Sequence, residues 1–237
     1  MSEKKTNKLS VDDHYVRPKA AWEQMKAAQN TRQTVYLYGA TGYGKTSLVA
    51  AFLGRKRYYY VSVSEGGIAK ITQMMSVKAE KPTEISNTQM IFVIDDLHLL
   101  VTQEDRNACE QLIEELSGRK DVWLILISRA PLPKWLKSVF IRNIFVTIGE
   151  EELRLTEGEQ EKYLEKWEVY PTEIAWKRMR ELGGGHPLAF RIAAMRFKSI
   201  PETETTENRE GAELHAIEEA TSDMWDYLEI HVYDQWD

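Results

Sequence analysis

One cysteine, Cys109, stands in 237 residues, so no internal disulfide can form. It lies in a helical pattern, Asn107 to Leu112, where burial is the expected role of the thiol. No apolar run is long enough to cross a bilayer and nothing resembles a signal peptide, so the chain reads as cytoplasmic and free of membrane partners. No His/Cys/Asp cluster has metal-ligand spacing, and no Ser-His-Asp or Cys-His arrangement is suggested. A dense Lys/Arg stripe is missing as well. The tail, Glu202–Asp237, has 12 acidic residues against Arg209 alone, a net of −11. Against −6 for the whole chain, this leaves +5 on residues 1–201. Phosphate-backbone binding needs clustered cations, so direct DNA binding by this chain is not supported.

What is present is concentrated in a few runs. Gly39-Ala40-Thr41-Gly42-Tyr43-Gly44-Lys45-Thr46, followed by Ser47, fits the phosphate-cradling pattern G-x-x-x-x-G-K-[ST]. The glycines let a tight loop turn its backbone N–H groups inward around a polyphosphate. Lys45 reaches the β- and γ-phosphates, and the Thr46 hydroxyl is placed to ligate Mg²⁺. The flanks also agree. Val35–Tyr38 is apolar and β-favouring, and the run after the loop to Leu53 is helix-like, which puts the anion at a helix N-terminus. The expected ligand is a nucleoside triphosphate.

Met90-Ile91-Phe92-Val93-Ile94-Asp95-Asp96 has the form of a Walker B strand, whose buried apolar residues deliver a carboxylate at the sheet's C-terminal edge. Asp95 is the candidate metal residue, for a Mg²⁺ bridging the β- and γ-phosphates, and Asp96 the candidate to polarise an attacking water. A solvated turn or helix N-cap also accounts for an Asp-Asp pair. Leu124–Ile127 ends in Ser128-Arg129, and a cation at that edge can report the γ-phosphate and stabilise charge during its transfer. A surface arginine opening the loop before Pro131 is the alternative. In Gly183-Gly184-Gly185-His186-Pro187, glycine suits a helix C-cap and proline the next helix's first residue. Such a turn can also lay Pro187 against a nucleotide base. His186 and His98 read as capping, exposed or structural residues rather than catalytic ones. Tyr58-Tyr59-Tyr60 reads as strand packing.

Strand-like runs at Val35–Tyr38, Tyr58–Val63, Met90–Ile94, Val122–Ile127 and Asn143–Ile148 alternate with helical ones at Thr46–Leu53, around Ile68–Val77, and Glu104–Leu116. This order predicts an α/β fold, a P-loop NTPase parallel sheet flanked by helices. Helical patterns at Glu157–Trp167, Pro171–Leu182 and Pro187–Phe197, the first opened by a Thr156/Glu159 capping box, predict a small all-helical domain after it. Residues 1–13 form a polar, disordered start, with Met1–Leu9 the lysine-rich part; 14–150 form the nucleotide-binding domain and 151–200 a helical lid. In 201–237, Pro201–Gly211 reads as a linker and Leu214, Ile217, Thr221, Met224, Trp225 and Leu228 as an amphipathic helix. Ending on Val232-Tyr233-Asp234-Gln235-Trp236-Asp237, with exposed aromatics and no polar cap, suggests a chain cut from something longer.

Together GATGYGKTS, MIFVIDDLH, LILISRAPLP and GGHPLAFRIAA resemble the STAND class of signal-transduction NTPases, in particular the nucleotide-binding module of MalT-like, LuxR-type transcriptional activators. The likeness covers most of residues 14–200, and Tyr15-Val16-Arg17-Pro18 resembles the family's N-terminal Arg-Pro stretch, which makes Arg17 and Pro18 nucleotide-pocket residues. The resemblance implies ATP/ADP with Mg²⁺ as cofactors and Arg129 as γ-phosphate sensor. It also implies Pro187 as adenine contact, slow hydrolysis at most, and a switch that ADP locks. Downstream regulatory domains and self-association in the ATP state are the implied partners. The winged helix, sensor repeats and helix-turn-helix of a complete member are not in this sequence. An AAA+ motor or loader is the rival reading, although its Walker B more often carries Asp-Glu and no arginine finger stands out here. A small-molecule kinase is a weaker one, since no acceptor motif or Arg-rich lid stands out.

Overall fold

The computed structural model describes residues 9–66, 68, 72, 90–201 and 206–230. The polar start before Leu9, the terminal Val232–Asp237, and all but Ile68 and Thr72 of the helix expected around Ile68–Val77 lie outside these residues. Five strands form one parallel sheet: β1 (Val35–Tyr38), β2 (Tyr59–Ser62), β3 (Met90–Asp95), β4 (Val122–Ser128) and β5 (Val146–Ile148). Their spatial order is β2-β3-β4-β1-β5. β4 therefore separates the P-loop strand β1 from the Walker B strand β3, and all C-terminal ends fall on one edge. This is the P-loop NTPase fold.

Burial follows from parallel pairing. Every residue of β4 is buried, as a central strand covered on both faces requires. One face packs Tyr36, Phe92, Ile94, Leu124 and Leu126 against Cys109, Leu112, Ile113 and Leu116 of α3 (Gln103–Ser117) and Val139 of α4 (Lys137–Asn143). On the other, Trp123 is fully buried near Phe52 of α2 (Lys45–Leu53), and its indole N–H donates to Gln33 O at 3.0 Å. The Cys109 thiol is pushed up to about 12 by burial, so it packs as an apolar group rather than reacting. Two helices of this unit were not evident in the sequence. α1 (Lys19–Thr31) buries only the small or flexible Ala21, Met25 and Ala28, a faint signal beside its polar residues. α4 takes up Asn143, so β5 begins at Val146 rather than Asn143.

The described residues divide into two compact units. The first holds those within Met1–Ser10, Lys19–Ala40 and Lys45–Glu152; the second holds Val11–Pro18, Thr41–Gly44 and those within Leu153–Asp237. The second unit is helical: α6 (Glu157–Lys166), α7 (Glu173–Gly183), α8 (Pro187–Lys198) and α9 (Thr206–Leu228), after the short α5 (Glu150–Leu153) that ends the first. The capping box at Thr156 is formed, with Thr156 N donating to Glu159 Oε2 at 2.8 Å. Gly184 closes α7 in the left-handed region and Pro187 opens α8. His14 stacks on Trp167 at 4.0 Å, and Lys166 Nζ donates to the carbonyls of Asp13 and Tyr15.

Two expectations for the tail need correcting. The linker read at Pro201–Gly211 is helical from Thr206 onward, because turn-forming composition yields to packing further along the same helix. Arg209 Nε also ties that first stretch to Glu213 Oε1, four residues on, at 3.1 Å. The buried stripe runs through Glu213, Ala216, Ile217 and Ala220, while Trp225 is 58% exposed. Small alanines let α9 approach α7 and α8 closely, and Glu213 tolerates burial because Thr172 N and Thr172 Oγ1 both donate to its Oε2. Arg196 of α8 makes a two-pronged pair with Asp223.

Trp123→Ala is expected to lower unfolding free energy by about 3–5 kcal/mol through cavity formation. Trp225→Ala is expected to change it by no more than about 0.5 kcal/mol. Urea unfolding followed by circular dichroism measures both.

Candidate nucleotide site

Chain topology brings the ends of β1, β3 and β4 to one edge, and the first unit builds its site there. Asp95, the last residue of β3, is buried, and its carboxylate accepts hydrogen bonds from Thr46 Oγ1 (3.1 Å), Tyr60 OH (3.0 Å) and Asp96 N (2.7 Å). Thr46 sits in the first turn of α2, directly after the P-loop, so this bond links the loop to β3 across β4. Burial, reinforced by the neighbouring Asp96 charge, raises the Asp95 pKa. A divalent cation would relieve that cost. Carboxylate and hydroxyl oxygens are the hard ligands magnesium takes, so Asp95 and Thr46 fit it. Among the described residues no group of three or more His, Cys, Asp or Glu gathers as a separate metal site.

Lys45 begins α2 and folds back over the loop, with Nζ donating to Gly39 O at 2.6 Å and Ala40 O at 2.9 Å. Burial lowers its pKa to about 8, opposed by Asp95 and reinforced by Arg129. The loop needs glycine at Gly42. There φ is +89°, and a Cβ would come within 2.7 Å of Leu188 and 2.9 Å of the His186 ring. Beside it Tyr43 meets His186 edge-on at 4.3 Å. His186 takes the N-cap position of α8, as the capping role expected, though without a side-chain capping bond, and it is packed and half-buried rather than exposed.

Asp96 adopts left-handed geometry (φ 60°), and its Oδ2 accepts from Ser62 Oγ and Ser64 Oγ, the latter at 3.1 Å. It occupies the N-cap position of the 3₁₀ turn Leu97–Leu99, as the N-cap alternative has it, but without a side-chain cap. Its half-buried carboxylate, held by two serines, is not a solvated turn. Arg129 follows the last residue of β4 and is half-buried. Its charge acts on both Lys45 and His98, which places it at the same edge.

The structure therefore gathers Lys45, Thr46, Asp95, Asp96 and Arg129. Ser47 continues α2 from Thr46. Arg17, Pro18 and Pro187 belong to the second unit, as do Thr41, Gly42, Tyr43 and Gly44 of the loop.

Four neighbours escaped the sequence reading. Tyr60, Ser62 and Ser64 lie on or just after β2, and the parallel register sets Ser62 opposite Asp95. Polar residues at the C-terminal end of a strand next to the Walker B strand were the available signal. Glu150 is the fourth: its Oε1 accepts from Ala40 N at 2.8 Å. It follows Gly149, against which Tyr38 packs so tightly that a Cβ would lie 2.7 Å from the phenol oxygen. Only the pairing of β1 with β5 brings Glu150 there, and spacing alone did not show it.

Comparison with known proteins agrees with this geometry. Residues 35–148 match the family model described as ATPase family associated with various cellular activities (AAA). Over that span, just under half of the chain, the sequence is similar to AAA-type P-loop ATPase domains, and the likeness supports nucleotide binding. Solved structures share the fold. A Walker-type ATPase of Pyrococcus abyssi superposes with a TM-score of 0.60 at 12% identity, over 92% of this chain and 76% of that one. RuvB of Thermotoga maritima gives 0.53 at 14%, over 84% and 67%. PCH-2 of C. elegans gives 0.51 at 18%, over 85% and 65%. Identities this low establish fold alone. No curated protein matches the sequence. Among the described residues no helix is long and apolar enough to cross a membrane.

Lys45→Ala is expected to weaken ATP binding by roughly 10- to 100-fold, the worth of a charged hydrogen bond to phosphate, with unchanged thermal unfolding. Titration calorimetry showing parental affinity would remove Lys45 from the site. The lysine is charged below pH 8 and increasingly neutral above it, so affinity should fall as pH rises through about 8. Near that pH, binding should take up a proton, visible as a dependence of the binding heat on buffer ionisation. Lys45→Arg, charged throughout, should flatten the profile.

Proposed function

We propose that this chain is an ATP/ADP-binding switch module of a transcriptional regulator, a STAND-type NTPase whose Mg²⁺-dependent hydrolysis is slow. The observation that carries nucleotide binding is the Thr46–Asp95 bond beside Lys45: a hydroxyl, a buried carboxylate and an ammonium converge where a glycine loop meets a helix N-terminus. In this reading Thr46 and Asp95 hold magnesium, which when bound neutralises charge on the β- and γ-phosphates. Lys45 holds the phosphates and Arg129 senses the third. Asp96 orients the attacking water, and its engagement by Ser62 and Ser64 supports slow turnover. Arg17, Pro18 and Pro187 contact the nucleoside. Support for the switch itself is the ordered set of motifs in the sequence, including the helix-opening Pro187 after a glycine turn. Downstream domains of a longer protein read the nucleotide state, with self-association in the ATP form and no direct DNA contact by this chain.

A second reading, an AAA+-type motor or loader ATPase, is favoured by the family match over residues 35–148. Rate and assembly separate the two. Turnover well below about one per second, with a monomer or weak oligomer by light scattering in Mg·ATP, fits the switch. Faster turnover with ring formation selects the motor.

Asp95→Ala is expected to impair Mg²⁺-dependent binding, and Asp96→Ala to spare binding while slowing hydrolysis. Parental turnover in Asp96→Ala would refute its role with water. Arg129→Ala should narrow the ATP-over-ADP preference by about tenfold, because only ATP offers a γ-phosphate. An equal loss for both nucleotides, read by calorimetry, makes Arg129 a general phosphate or structural residue.

A further inference from the structure

His98 lies in the 3₁₀ turn Leu97–Leu99 immediately behind the Walker B strand. Its ring is half-buried, and among the described residues its Nδ1 is shielded from solvent with no hydrogen-bond partner. A shielded ring nitrogen without a partner is costly, and a donor supplied in a second state of the protein would remove that cost. β3 and β4 pair in parallel, so the turn after β3 that carries His98 and Arg129 directly after β4 leave the sheet at the same edge. Of the charged groups that act on the ring, Arg129, Asp96 and Lys45, Arg129 is foremost. A guanidinium carries five N–H donors in a rigid fork, so it can serve the imidazole and a phosphate at once.

We propose that His98 is a positioning residue for Arg129: in the triphosphate-bound protein, Nδ1 accepts an N–H from the guanidinium and aims it at the γ-phosphate. Nδ1 is then the acceptor and Nε2 carries the proton. Burial, with the charge of Arg129 next, lowers the His98 pKa to about 4, so the ring is neutral at physiological pH and able to accept. The contact belongs to the ATP state alone, so ADP affinity is indifferent to it.

The inference rests on Arg129 sensing the γ-phosphate, and the experiment separates the two claims. Affinities for Mg·ADP and for the non-hydrolysable Mg·ATP analogue with a β,γ-imido bridge are measured by calorimetry on the full chain. The proteins are the parent, His98→Ala, His98→Asn, His98→Gln, Arg129→Ala and the Arg129→Ala/His98→Ala double variant. His98→Ala should cut analogue affinity by about three- to tenfold and leave ADP affinity unchanged. His98→Asn, whose amide oxygen falls near the Nδ1 position, should restore it; His98→Gln, which mimics Nε2, should not. In the Arg129→Ala background His98→Ala should have no further effect. Equal losses for both nucleotides, rescue by Gln but not Asn, or additive losses in the double variant would overturn the inference. If Arg129→Ala leaves the ratio untouched, the sensor reading fails and this inference with it. If Arg129→Ala collapses the ratio and His98→Ala does not, only the inference fails.

Discussion

The first unit is organised around a buried carboxylate. A charged group shielded from water is tolerated only when donors satisfy it, and Asp95 is satisfied from three directions: Thr46, Tyr60 and its own successor's N–H. Each donor comes from a different part of the chain, so the carboxylate fixes the P-loop helix, β2 and the turn after β3 to one another. The bonds run beside β4, whose burial on both faces makes it the rigid spacer between the loop and the Walker B strand. The cost of holding the charged carboxylate there is what a magnesium ion would offset, so the strain of the site and its chemistry have one origin.

Asp96 shows how little separates a structural residue from a chemical one. Adjacent residues on an extended strand project to opposite faces, yet Asp95 and Asp96 both serve this edge. They can because β3 ends between them: Asp96 turns into left-handed geometry and reaches back to the serines at the end of β2. The same departure from the strand starts the 3₁₀ turn that carries His98 toward Arg129. One backbone reversal thus places both the Asp96 carboxylate and the His98 imidazole at this edge.

The sequence made much of this legible, because local patterns carry it. The glycine–lysine run, the apolar strand before Asp95 and the Ser-Arg ending of β4 each encode an element and its end, and the parallel sheet follows from alternation. Contacts set by strand order were not legible. Neither the insertion of β4 between β1 and β3 nor the pairing of β5 with β1 has a local signature, and Glu150, Tyr60, Ser62 and Ser64 reach the site only through such pairings. α1 and the start of α9 were missed for a related reason. Small alanines and turn-forming residues become helical when a neighbour's packing supports them, a tertiary effect that propensity does not contain.

Buried charge also separates the two units' cores in kind. In the helical unit, Glu213 is as deeply buried as any polar residue among those described, but its donors are a helix N-cap, Thr172, and Arg209 four residues before it. Thr172 and Arg209 hold the carboxylate, and it anchors α9 to the start of α7. Asp95 has comparable burial, but its neighbours are an ammonium, two hydroxyls and a second carboxylate at an open sheet edge. Burial satisfied by a helix N-cap and one paired cation produces a structural lock. The same burial beside charges of both signs at an open sheet edge produces a site whose energy depends on what binds there.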